Sequence, residues 1–82
     1  MNKHSIGWAV KQMWDGRAVH RTGWNGKNMW IAIQHPDAES KMTQPYVYWK
    51  TVEGELIPWL CSQVDLLAID WDLYTHQEAD VA

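Results

Sequence analysis

Residues 18–33, with the sequence AVHRTGWNGKNMWIAI, carry the pattern that decides the fold. Residues 18–21 are a short run typical of a β-strand, and residues 23–26 hold two glycines and an asparagine that tolerates positive φ, which predicts a tight turn. Residues 29–33 are apolar at every position, which indicates a central strand covered on both faces. This stretch therefore predicts two paired strands in the middle of a sheet.

An amphipathic helix is predicted before these strands, over residues 5–14. Apolar side chains recur there at helical spacing, at Ile6, Ala9, Val10 and Met13. Gly16 follows at the position where a left-handed residue commonly ends a helix.

Further short elements are predicted beyond a polar loop at residues 35–44. Residues 46–51 are rich in β-forming side chains, and a turn sequence at residues 53–55 separates them from a strand at residues 56–57. Ser62 stands three residues before Asp65, a variant of the capping pattern that predicts a helix of one or two turns. Residues 70–74 mix apolar and acidic side chains in alternation, as an edge strand does.

The order of these elements and their short connections predict an α+β fold. In this fold a small antiparallel sheet carries an N-terminal helix and a short second helix before the last strand. A chain of 82 residues makes one domain, residues 1–82. We expect its compact core over about residues 5–74 and a flexible tail over residues 75–82.

The charge balance and the cysteine count limit the partners and the compartment. Seven Lys and Arg against ten Asp and Glu give a net charge of −3, the wrong balance for wrapping a polynucleotide. The single cysteine cannot close an intramolecular disulfide, no apolar run approaches the roughly 18 residues of a membrane span, and no signal-type stretch follows the first residues. We therefore expect a cytoplasmic protein that binds neither polynucleotide nor membrane.

The aromatic composition is unusual, with seven tryptophans and no phenylalanine. Tryptophan concentrates in small cores, at interfaces and where a flat ring must be stacked, and composition alone does not choose among these roles. Ordering the chain costs about 1.5 kcal/mol per residue, which few aliphatic side chains are present to offset. We therefore expect an obligate oligomer.

Metal and catalytic chemistry have little support in the sequence. The four histidines lie far apart, and one cysteine cannot make a paired zinc motif. Ser62 lacks the flanking glycines of a nucleophile elbow and is accounted for as a helix cap. Arg21 and Asn28 stand where a phosphate-binding loop needs a glycine and a hydroxyl residue. We expect neither an enzyme nor a bound cofactor.

The turn at residues 21–27 is the first candidate binding cluster. Arg21 and Lys27 are suited to phosphate, Trp24 to stacking on a base, and Asn25 to pairing with a polar edge. A Trp at the tip of a turn is expected to support little of the core. The alternative interpretation is purely structural: Trp24 covers the edge of the core and the two cations are solvated.

The second candidate cluster surrounds the start of the short helix. Free backbone N–H groups there attract anions, Ser62 and Gln63 add polar groups, and Asp65 or Asp70 can accept from ribose hydroxyls or a base amine. The structural alternative is that Ser62 and Asp65 only cap the helix. In that case neighbouring apolar residues fill the core, namely Leu66, Leu67, Trp59 and Trp71.

These two clusters resemble a known family. The residue runs that carry the resemblance are RTGWNGK at 21–27, MW at 29–30, PW at 58–59, SQ at 62–63, DLLA at 65–68 and DW at 70–71. Over roughly residues 5–74 they are similar to the second Thoeris anti-defence family of small phage and prophage proteins. The resemblance implies a sponge for an immune signal: a homo-oligomer, typically a tetramer, that binds glycocyclic ADP-ribose without cleaving it and so inhibits Thoeris immunity.

The resemblance also implies particular ligand contacts and a second class of ligand. The ligand-facing positions that it implies are Arg21, Trp24, Asn25, Ser62, Gln63 and Asp65, whereas Trp30, Trp59 and Trp71 match core or interface positions. Cyclic di- or trinucleotides are the second ligand class, in a separate pocket. Cys61, Ile69 and the short loop at residues 35–44 depart from the family pattern, which leaves the ligand less defined than the family.

Two other functions remain open at this point. One is an enzyme, a phosphodiesterase or glycosidase, that destroys the same signal. The other is a module that binds a host protein through its Trp-rich surface.

Overall fold

A computed structural model describes residues 4–24 and 28–75 of the chain. Within these residues the elements, in chain order, are α1 (Ile6–Trp14), β1 (Val19–Arg21), β2 (Trp30–Gln34), β3 (Tyr46–Lys50), β4 (Leu56–Pro58), α2 (Gln63–Leu66) and β5 (Trp71–Leu73). The strands form one antiparallel sheet in the order β4-β3-β2-β1-β5. The predicted α+β fold is confirmed, with β2 in the centre and β5 at an edge. The middle of the predicted turn, residues 25–27, and most of the predicted tail, residues 76–82, lie outside the described residues.

Helix α1 begins and ends as its sequence predicts. The Ser5 hydroxyl caps its start by accepting a hydrogen bond from the Trp8 backbone N–H at 3.4 Å. Gly16, with φ +91°, follows the last turn in the left-handed conformation that glycine adopts without strain. Neither helix of the described residues is long and apolar enough to serve as a membrane span.

The core lies between α1 and one face of the sheet. Its buried cluster consists of Ala9, Met13, Val19, Ile31 and Trp71. The register of the strands places Val19 and Trp49 on either side of Ile31, so that one sheet face presents an apolar row to the helix. The interpretation of Trp71 as a core residue is confirmed, since its side chain is completely buried.

The expectation that β2 is covered on both faces is wrong. Only Ile31 is buried among its five residues, whereas Trp30 and Ala32 are half-buried. Successive side chains of a strand point to opposite faces, and α1 packs against one face only. A chain of 82 residues has too little length for a second covering layer, so an apolar run here does not mean two buried faces.

The second hairpin, β3–β4, turns at residues 52–54, one residue before the predicted turn at residues 53–55. Gly54 has φ +90°, which only glycine adopts readily, and its N–H donates to the Thr51 carbonyl oxygen at 2.9 Å. The Thr51 hydroxyl accepts from the Glu55 N–H at 3.1 Å. The hairpin register makes Trp49 and Ile57 cross-strand partners on one face.

Candidate binding site

A cleft of about 370 Å³ lies where the core reaches the β3–β4 hairpin. Three indoles, four other apolar side chains and one carboxylate line it: Trp24, Trp49, Trp59, Met29, Ile57, Pro58, Leu60 and Asp65. Aromatic walls with one charged acceptor are suited to a flat, polar-edged ring. The cleft is therefore the candidate binding site.

The buried ring of Trp71 supports two of the three cleft indoles. Trp24 meets it edge to face at 5.5 Å between ring centroids, and Trp59 does so at 6.1 Å. Such contacts contribute about 0.5–1.5 kcal/mol beyond area burial. The expectation that Trp24 supports little of the core is therefore wrong, because its ring packs against the core as well as lining the cleft.

Short local bonds hold the remaining walls in place. Trp49 projects from β3 beside Ile57 of β4 because the two residues are paired in the hairpin. The backbone N–H of Trp59 donates to the Val47 carbonyl oxygen at 3.1 Å, which continues the strand pairing beyond β4. The pairing of β3 with β4 thus fixes the distances between Trp49, Ile57 and Trp59.

Asp65 is the charged group of the cleft. Its Oδ1 accepts from the Trp24 indole N–H at 3.1 Å and from Arg21 Nη1 at 2.8 Å. Burial by itself raises the pKa of Asp65, but the hydrogen bonds from Arg21, Trp24 and Ser62 outweigh it and leave the pKa below its ordinary value. The carboxylate is therefore ionised at neutral pH and its negative charge faces the cleft.

Arg21 joins two carboxylates that are distant in sequence. Its Nε donates to Asp70 Oδ1 at 2.7 Å while Nη1 donates to Asp65, and its side chain is 17% exposed. The hydrogen bonds that Arg21 donates to Asp70 and, to a smaller extent, to Asp65 raise the pKa of Arg21. One cation between two anions leaves net negative charge, so a phosphate at Arg21 must compete with both carboxylates. Among the described residues no group of three His, Cys, Asp or Glu side chains is placed to hold a metal ion.

The structure brings some of the predicted site residues together and separates others. Arg21, Trp24 and Asp65 form one hydrogen-bonded group at the cleft. Ser62 and Gln63 are exposed at the start of α2, away from the cleft lining, and the Ser62 hydroxyl accepts from the Asp65 backbone N–H at 3.1 Å as a helix cap. Asn25 lies outside the described residues.

Sequence reasoning predicted only two of the eight lining residues, Trp24 and Asp65, as ligand contacts. It missed Trp49, because the turn predicted at residues 53–55 lies one residue too late in the chain. Equal distances from the centre of a hairpin turn place two residues opposite each other. A turn centred on residue 54 would pair Ile57 with Thr51, whereas the observed pairing of Ile57 with Trp49 is centred on residue 53.

A second, larger cleft of about 580 Å³ lies on the other side of β4. Its lining comes from the end of β2, the loop before β3 and the β3–β4 hairpin: Gln34, Met42, Thr43, Gln44, Pro45, Tyr46, Tyr48, Leu56, Ile57 and Pro58. Only Ile57 and Pro58 are shared with the first cleft. Of the two predicted binding clusters, only Pro58 contributes to it.

Comparison with known proteins gives two matches. Residues 4–74 match the model of the Thoeris anti-defense 2-like domain. A curated protein of Bacillus phage SP01, named Thoeris anti-defense 2, is 33% identical over 84 aligned positions, which cover 87% of this chain and 94% of the relative. The matched region contains all the described elements from α1 to β5.

Proposed function

Because the chain belongs to the Thoeris anti-defense 2-like family, which supports a phage anti-Thoeris role, we propose that it acts by sequestering a cyclic ADP-ribose-type signal, glycocyclic ADP-ribose. In this proposal the protein binds the signal intact in the cytoplasm of the infected host and keeps it from its effector. The observation that carries the proposal is the convergence of three indoles and an ionised carboxylate in one cleft.

The chemistry of the cleft fits the nucleoside part of such a signal. An adenine ring stacks on indole faces, and Asp65 accepts a hydrogen bond from a base amine or a ribose hydroxyl. Small-molecule pockets span about 300–1,000 Å³. A cleft of about 370 Å³ is near the lower end of this range and encloses part of a dinucleotide-sized ligand.

The phosphates of the signal need donors away from Asp65, because its charge repels them. Arg21 is occupied by two carboxylates. The sequence predicts Lys27 as such a donor, and this residue lies outside the described residues. In the proposal the base of the ligand lies among the indoles of the cleft.

We further propose a homo-oligomer, typically a tetramer, in which a second copy completes the cleft. Apolar side chains are strongly exposed beside it, with Leu60 at 91%, Leu67 at 76% and Val64 at 70%. Leu60 lines the cleft directly. Exposed apolar patches of this kind mark association surfaces, and a partner covering this one adds the wall that a small domain lacks.

The second cleft is the candidate place for the second ligand class, cyclic di- or trinucleotides. Its two tyrosine rings, Tyr46 and Tyr48, offer stacking surfaces, and its size suits a larger ring of nucleotides. Tyr48→Ala should weaken binding of a cyclic dinucleotide without changing that of glycocyclic ADP-ribose, as measured by calorimetry. Equal weakening of both ligands would show that the clefts are not separate sites.

The main experiment separates sequestration from destruction of the signal. The purified protein is titrated with glycocyclic ADP-ribose in a calorimeter, then denatured by heat, and the released ligand is identified by mass spectrometry. We expect the intact ligand. Recovery of a cleaved product would establish the enzyme alternative, and absence of binding would favour the module that binds a host protein.

A matched pair of tryptophan variants locates the site. Trp49→Leu removes a cleft wall and should weaken binding about five- to 150-fold, since stacking contributes roughly 1–3 kcal/mol per base. Trp14→Leu is the control, because Trp14 is 54% exposed on α1 and is not part of the cleft lining. Equal affinities of the two variants for glycocyclic ADP-ribose would show that the ligand binds outside this cleft.

A further inference from the structure

The carboxylate of Asp70 accepts hydrogen bonds from β1 and from the turn that follows it. It accepts from Arg21 Nε at 2.7 Å, from the Gly23 backbone N–H at 2.8 Å and from the Thr22 hydroxyl at 3.5 Å. The Asp70 backbone carbonyl oxygen also accepts from the Thr22 N–H at 3.1 Å. We call this set of bonds the Asp70 clamp.

Gly23 is the residue that the clamp requires. A Cβ atom at this position would lie 2.7 Å from Asp70 Oδ2, closer than real Cβ contacts allow. The φ of Gly23 is outside the left-handed region, so the requirement is one of space and not of backbone conformation. Glycine therefore stands here because the carboxylate must approach the backbone N–H.

The Asp70 clamp is connected to the cleft through Trp24 and Arg21. Trp24 follows Gly23 directly, and its backbone N–H donates to the Arg21 carbonyl oxygen at 3.2 Å. Its indole N–H donates to Asp65 Oδ1, which also accepts from Arg21 Nη1. The backbone end of Trp24 is thus fixed by the clamp and its ring end by Asp65, with Arg21 connecting the two.

We propose that Asp70 is a positioning residue of the binding cleft, which sets the place of the Trp24 ring through Gly23 and Arg21 without touching the ligand. Asp70 is absent from the cleft lining that the described residues form. The inference rests on the proposed function, because it requires that Trp24 contacts the ligand. It predicts that affinity depends on a carboxylate outside the cleft.

The experiment weakens the Asp70 clamp by substituting Asp70 in one variant and Gly23 in another. Asp70→Asn replaces one acceptor oxygen by a donor, and so it cannot accept from both Arg21 and Gly23 as the carboxylate does. Gly23→Ala leaves the charge in place but forces the carboxylate away from the backbone. Asp72→Asn is the matched control, since Asp72 lies two residues further along the chain, in β5, makes the same change of charge and accepts from the Leu73 N–H at 2.8 Å instead.

Two readouts are taken at a temperature where all variants give the folded far-ultraviolet circular dichroism spectrum. The first is the indole N–H resonance of Trp24 in a nitrogen–proton NMR spectrum, assigned by its loss in Trp24→Phe. The second is the affinity for glycocyclic ADP-ribose. We expect Asp70→Asn and Gly23→Ala to shift the resonance and weaken binding at least about five-fold, while Asp72→Asn leaves both as in the wild type.

The outcomes separate the clamp from the proposed function. A wild-type protein that does not bind the probe refutes the proposed function, and the position of the Trp24 resonance still decides whether the clamp sets the ring. An unchanged resonance and affinity in Gly23→Ala and Asp70→Asn overturn the inference. If Asp70→Asn fails to fold, Gly23→Ala alone decides. Equal effects in Asp72→Asn also overturn the inference, since they show a general effect of charge.

Discussion

The two ends of the sheet are built differently. At the packed end, α1 covers β1, β2 and β5, and the buried residues include Val19, Ile31 and Trp71. At the open end, formed by β3 and β4, no side chain of β4 is buried, and Leu60, which follows β4, is 91% exposed. The cleft lies at the boundary, where the core no longer covers the indoles. One end therefore supplies most of the buried core, and in the proposed function the other end holds the ligand and the partner copy.

Trp71→Ala should have the largest effect on stability, because it leaves a cavity in the core at the packed end. Truncating a buried aromatic residue costs about 3–5 kcal/mol, and here it also removes the support of Trp24 and Trp59. Urea denaturation at one fixed protein concentration measures the loss. The control is Trp14→Ala, on an exposed ring, with an expected loss of about 1 kcal/mol or less. Similar losses for the two variants would contradict the division into two ends.

Acid should break the ion pairs that Arg21 forms with Asp65 and Asp70. The pKa values of Asp65 and Asp70 are lowered in the folded protein, so their contribution to stability is present above the unfolded values, about 3.9, and is lost as the pH falls through the lower folded values. We expect the free energy of unfolding to fall steeply below about pH 4. The fall should be shallower in Asp70→Asn. Unfolding curves between pH 6 and pH 3 measure it, and equal slopes would show that the ion pairs contribute little.

A pair of glycine variants should shift stability in opposite directions. Gly54→Ala, at the open end, forces an alanine to φ +90° and should cost about 1–2 kcal/mol, although nothing lies near the added methyl group. Gly7→Ala, in α1 at the packed end, should stabilise by about 0.5–1 kcal/mol, because alanine loses less backbone entropy than glycine when a helix forms. The new Cβ has room, since its nearest neighbour is Ser5 Oγ at an ordinary 3.6 Å. Differential scanning calorimetry measures both. Shifts of the same sign would contradict the backbone explanation.

Leu67→Ser should have the smallest effect on the fold of a single chain, about 0.5 kcal/mol or less, because the side chain is 76% exposed. Its effect should appear in assembly instead. Analytical ultracentrifugation should show a smaller species than the wild-type oligomer. Val52→Ser, in the exposed turn of the β3–β4 hairpin, should sediment as the wild type does. A wild-type protein that sediments as a monomer would refute the proposed assembly.

The sequence allowed the elements to be predicted because their boundaries are local. Ser5 and Ser62 cap helices, and Gly16 and Gly54 take positive φ where a helix ends and a hairpin turns. Such features depend on neighbours within a few residues. The covering of β2 was predicted incorrectly, because an apolar strand does not reveal how many layers the chain can supply.

The candidate site was predictable only in part, because its geometry depends on residues far apart in the chain. Arg21 is 44 residues from Asp65 and 49 from Asp70, so no local pattern shows that they pair with one another. Their types suggested ligand contacts, and that assignment remains a prediction. Trp24 was predicted either to stack on a base or to cover the edge of the core, and the structure places its ring both against the core and in the lining of the cleft.

The pairing of β5 with β1 has a consequence for synthesis of the protein. Strands β1 to β4 follow one another as neighbours in the sheet, so their paired residues lie at most 20 positions apart, whereas the partners in β1 and β5 lie 50–54 positions apart. The nearer pairs are expected to form earlier. Asp65, Asp70 and Trp71 leave the ribosome after all of these strands. A nascent chain that ends before residue 62 therefore lacks Asp65 and the Trp71 ring that supports Trp24 and Trp59. In the proposed function only the finished fold binds the signal, which would then add RT ln(1 + [L]/Kd) to the stability of that fold.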